Sequence, residues 1–102
     1  MDSVNNRLAE DGTIRIVVLQ RGHVVIGKYF QNGEIGRLEH AHVIRRWGTT
    51  HGLGELAVNG PLPDSAPHGP TLLDSCPPIQ FHTRELIFLM EVNPDAWRQL
   101  CN

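Results

Sequence analysis

The dipeptide Asn32-Gly33, set between two runs rich in β-branched and aromatic residues, constrains this chain more than any other feature. Asn-Gly is the favoured pair for a two-residue type I′ hairpin turn, in which both central residues need positive φ. The flanking runs, His23–Phe30 and Glu34–Trp47, therefore read as antiparallel neighbours. Upstream, Thr13–Gln20 (TIRIVVLQ) is a third strand by its β-branched content. Arg21-Gly22, between two apolar runs, predicts a second tight hairpin. Gly27 within the second strand predicts a bulge or a close backbone approach, and Gly36 a bend in the third.

Glu34–Trp47 is the long strand of the set, and its later half alternates without a clean apolar face. His40, His42, Ile44 and Arg46 should share one side, and Ala41, Val43, Arg45 and Trp47 the other. Beyond it the period changes. Leu53, Leu56 and Ala57 are spaced for one face of a short helix over 52–58, stopped by Asn59-Gly60 before Pro61. Pro61–Pro70 reads as a surface loop, 71–76 as a short strand, and Ile79–Val92 as a last strand buried at its centre. Asn93-Pro94-Asp95 carries the marks of a helix start, with Asn as cap, Pro at the first position and an acid in the first turn. The terminal helix, Pro94–Leu100, should pack Trp97 and Leu100 on the sheet.

The expected fold is α+β: an antiparallel β-meander of four to five strands, able to curl into a half-barrel, with a short central helix and a C-terminal helix. A chain of 102 residues with 40% hydrophobic and 20% charged content suits one folded domain, read as 13–102 behind an N-terminal arm, 1–12. Its net charge of −2 argues against general nucleic-acid binding. Two cysteines, no leader-like N-terminus and no apolar run long enough for a bilayer point to a soluble, cytoplasmic protein with no membrane partner.

The chemistry-bearing residues are sparse. His40 and His42, two apart on a strand, would stand about 6–7 Å from each other and could take a metal with a third ligand such as His51 or His82. No zinc or calcium signature accompanies them, so no cofactor and no metal are expected. Cys76, ahead of two prolines, reads as a small hydrophobe and not as a nucleophile. The segment 48–52 (GTTHG), ahead of a helix, could cradle an anion on its backbone N–H groups, though helix capping explains it as well. The basic residues are eight arginines and one lysine. Arg45, Arg46 and Trp47 pair the side chains that grip phosphate and stack on bases with those enriched at protein hot spots. A ligand- or partner-binding surface is therefore placed at His42, Arg45, Arg46, Trp47, Thr49 and Arg84.

Three stretches carry a resemblance: VVLQRGHVVIGKY, NGEIGRLEHAHVIRRWGTTHGLGELAVNG and PPIQFHTRELIFLMEV. Together they resemble a family of small, uncharacterised bacteriophage and prophage proteins. The matches fall on His23, Val25 and Gly27; on Ala41, Ile44 and Trp47; on Leu53, Leu56, Ala57 and Gly60; and on Pro78 and Ile79. The family's Ala-Arg is here Ala41-His42, and its first connection is longer than Arg21-Gly22. The resemblance names no activity. It implies a viral setting, in which small proteins block host defence by binding a defence protein or by sequestering an anionic nucleotide signal. The reading is thus a binding protein without catalysis, acting as a homodimer. A small metal-dependent enzyme built on His40 and His42 and a phage structural component are the alternatives.

Overall fold

A computed structural model describes residues 12–100. The elements run β1 (Ile14–Leu19), β2 (His23–Asn32), β3 (Ile35–Arg46), α1 (Leu53–Asn59), β4 (Leu72–Ser75), β5 (Ile79–His82), β6 (Leu86–Glu91) and α2 (Pro94–Trp97), with 3-10 turns at Gln20–Gly22 and Thr83–Glu85. The α+β class, the antiparallel pairing and the two helices agree with the sequence reading. The strand count does not, since the sheet has six strands in the order β4-β3-β2-β1-β6, with β5 also on β3.

The extra strand comes from the single run predicted over Ile79–Val92. The turn Thr83–Glu85 divides it, and its two halves pair with different strands: β5 with Ile35–Leu38 of β3, β6 with Arg15–Leu19 of β1. In a flat sheet β5 and β6 would lie four strand spacings apart, about 19 Å. The four peptide steps from His82 to Leu86 reach at most about 14 Å. The sheet therefore has to curl, although no ladder joins β5 to β6 and it stays open. His82 Nε2 lies 3.0 Å from Glu34 Oε1, and Thr83 N–H donates to Glu34 O at 2.8 Å, tying the corner to the β2–β3 turn.

That turn corrects the type I′ expectation. Asn32 pairs with Ile35, so the two loop residues are Gly33 and Glu34; Gly33 has φ 61° and Asn32 is not in the positive region. The conformation expected for Asn32-Gly33 is instead adopted at Arg21 and Gly22, with φ 70° and 82°.

Curling gives the sheet two cores. On its helix-covered face Ile16, Ile26 and Ile44 pack with Leu53, Leu56, Ala57 and Trp97. Ala57 O accepts from Asn93 N–H at 3.0 Å and from Trp97 Nε1 at 3.3 Å, which fastens α2 to the end of α1. The Asn93 cap forms as predicted, its Oδ1 accepting from Asp95 N–H. On the concave side Val17, Val25, Tyr29, Leu38 and Ala41 form the second core, with Phe81, Leu86 and Leu89 against it. Tyr29 and Phe81 lie 6.2 Å apart by ring centroids. Burial pushes the Tyr29 phenol up from its ordinary range, with Arg15 pulling weakly the other way.

Midway along β3 the phase breaks. Glu39 pairs with Lys28 and His42 with Ile26, so His40 and Ala41 together face Gly27. His40 takes φ 53°, the left-handed geometry of a bulge. A Cβ on Gly27 would come within 3.0 Å of Glu39 O and 3.2 Å of the Ala41 Cα, so the glycine admits the bulged strand, as its position predicts.

Candidate functional site

The bulge removes the simple two-residue spacing that put His40 beside His42. His42 stays in register with Ile26 on the helix-covered face, while His40 is an exposed extra residue. His82 lies opposite Ile35 at the far end of β3, and His51 in the loop before α1. Among the described residues no group of three His, Cys, Asp or Glu side chains is placed to hold a metal. The buried Nδ1 of His42 has no hydrogen-bond partner among the described residues.

Arg45, Arg46 and Trp47 do form one neighbourhood, at the end of β3 that pairs with β4. Arg45 Nε lies 2.6 Å from Asp74 Oδ2, both side chains about half exposed. Arg46 Nη2 donates to His68 O at 2.7 Å and so clasps the proline-rich loop. Thr71 Oγ1 donates to Trp47 O at 2.7 Å and accepts from Leu62 N–H at 2.8 Å. Trp47 itself is 39% exposed, held at its backbone with its ring toward solvent on one side. The two arginines are thus occupied by protein acceptors.

Thr49 serves the helix start. Its Oγ1 accepts from Gly52 N–H at 3.1 Å and donates to Gly52 O at 2.9 Å, while Glu55 Oε1 accepts from His51 N–H at 2.8 Å. Glu55 therefore occupies the place an anion would have taken in that loop. Arg84 corrects the sequence expectation: it sits on the β5–β6 corner, next to the end of β3 that carries Ile35, not beside Arg45 and Arg46. Cys76 packs on the second core and points its thiol at Ala41 O, 3.5 Å away. Burial pushes this thiol up, against a weaker pull from the Val43 backbone, which keeps it protonated at neutral pH.

The site that sequence reasoning missed lies at the opposite end of β3. A groove of about 560 Å³ is lined by Phe30, Gln31, Asn32, Ile35, Arg37 and Gln80. No motif marks it, because its parts come from three strands. The signal available was the i,i+2 spacing of Ile35 and Arg37 behind the hairpin, which puts both on the face of Phe30. No family model matches this sequence, and no curated protein does either. Among the described residues no helix is long and apolar enough to cross a membrane.

Proposed function

We propose that the chain is a small non-catalytic binding protein of the phage type, which antagonises a bacterial host by docking on one of its defence proteins. The observation that supports this reading is the arrangement of Arg45, Arg46 and Trp47. A tryptophan 39% exposed follows two arginines already fixed by Asp74 and by the His68 carbonyl. Tryptophan and arginine dominate protein hot spots, and side chains immobilised before binding lose little entropy on docking. The phage setting rests on the resemblance in the three sequence stretches. A homodimer belongs to the same proposal, because terminal strands of the sheet offer edges for self-association.

The test is phage plating on bacteria carrying defined defence systems, with and without the protein. Relief of at least one system by the wild type, lost in Trp47→Ala and in the double reversal Arg45→Glu/Arg46→Glu at unchanged expression, is the expected result. Relief that survives both variants, or none across the panel, would sink the reading. Light scattering of the purified protein tests the dimer; a monomer at high concentration removes it.

A further inference from the structure

The groove at the β2–β3 tip is built from two successive rungs of the sheet. Phe30, Arg37 and Gln80 stand directly opposite one another across β2, β3 and β5, so their side chains share one face. Asn32 and Ile35, also opposite each other, form the next rung on that same face. This is the continuation of the face that α1 and α2 cover farther along, where Ile26 and Ile44 lie; here neither helix reaches it, and Gly12 lies against the Phe30 ring. Its volume falls in the range of small-molecule sites, roughly 300–1,000 Å³.

The lining has a definite chemical character. Phe30 and the 44%-exposed Ile35 are flat and branched apolar walls. The carboxamides of Asn32 and Gln80 each offer a donor and an acceptor, and neither has a partner among the described residues. Arg37 is the one cation of the lining. It engages Glu39 Oε2 only through Nε, at 2.8 Å, which leaves its Nη groups to another acceptor. No carboxylate lines the groove.

From this we infer a binding site for a planar ring with a hydrogen-bonding edge and an attached anion, of which a nucleoside monophosphate is the simplest form. The ring lies against Phe30 and Ile35, the carboxamides of Asn32 and Gln80 meet its donor–acceptor edge, and the Arg37 Nη groups take the phosphate. Aromatic stacking combined with amide readout and an arginine is how proteins hold unpaired bases. The site is separate from the Trp47 surface and stands or falls independently of it.

Isothermal titration with the four ribonucleoside 5′-monophosphates, their nucleosides, inorganic phosphate and benzoate tests it on the full chain, with amide shifts to map the contact. At least one monophosphate should bind with one-to-one saturation and shift Asn32, Ile35, Arg37 and Gln80. Arg37→Gln should weaken that monophosphate about tenfold or more while barely changing the affinity of its nucleoside. Gln80→Ala, a change on the exposed rung, should weaken both at an unaltered melting temperature. No binding by any of the four at millimolar concentration overturns the proposal. So does equal binding of benzoate, or a shift map centred on Arg45–Trp47.

Discussion

β3 is one strand with two unlike halves. Before the bulge, Ile35, Arg37 and Glu39 share the face that the helices leave bare; after it, His42 and Ile44 share the part of that face lying under α1 and α2. Side chains alternate from Ile35 to Glu39 and again from His42 to Ile44. What differs is the roof, and the roof is supplied by segments far away in sequence. An isoleucine therefore ends 5% exposed at position 44 and 44% exposed at position 35.

Truncating each isoleucine in turn measures what the roof contributes. Ile44→Ala should cost about 2–4 kcal/mol in denaturant unfolding, from lost transfer energy and the cavity left under the helices. Ile35→Ala should cost less than about 1 kcal/mol, since nearly half of the residue is already in water and no helix packs over it. Similar losses at the two positions would mean that the bare half has a roof of its own. Next in size is Arg46→Ala, expected to remove about 1 kcal/mol and to speed amide exchange in the loop whose His68 carbonyl it holds. At the boundary between the halves, His40→Gly should stabilise by roughly 0.5–1 kcal/mol, because φ 53° strains a side-chain-bearing residue and not glycine. His42→Gly, two positions on, should do the opposite. The smallest effect belongs to Arg45→Ala. Its ion pair with Asp74 is half exposed on both sides, so a loss under about 0.5 kcal/mol, erased by high salt, is the expected reading.

Local signals were read well where a residue acts on its own neighbours. Asn93 caps α2, Gly27 marks the close approach, and Leu53, Leu56 and Ala57 form the buried stripe of α1. The Asn32-Gly33 signal found the hairpin but not its register, because the pairing of Asn32 with Ile35 moved the turn on by one residue. Gly27 signalled the bulge but not the strand that carries it, because on β3 a histidine and not a glycine adopts the left-handed geometry. The split of the last strand was missed for a different reason: the polar run His82–Glu85 fits an exposed stretch of one long strand as well as it fits a corner, and the curl of the sheet decides for the corner. Of the predicted surface, Arg45, Arg46 and Trp47 follow one another at the end of β3 beside β4, Thr49 serves the helix start, and Arg84 lies at the other end of β3.

Splitting the last strand between two edges also sets a timetable for synthesis. β1 has β2 as one neighbour within a few residues, but its other neighbour, β6, is near the end of the chain. At 5–20 residues per second, the outer edge of β1 waits on the order of 3–13 seconds on the ribosome before Leu86–Glu91 emerges to pair with it. During that interval Ile14–Leu19 is an unpaired, β-branched strand of the kind that recruits other chains. The nascent protein is thus most vulnerable at its first strand, and its last strand ends that exposure.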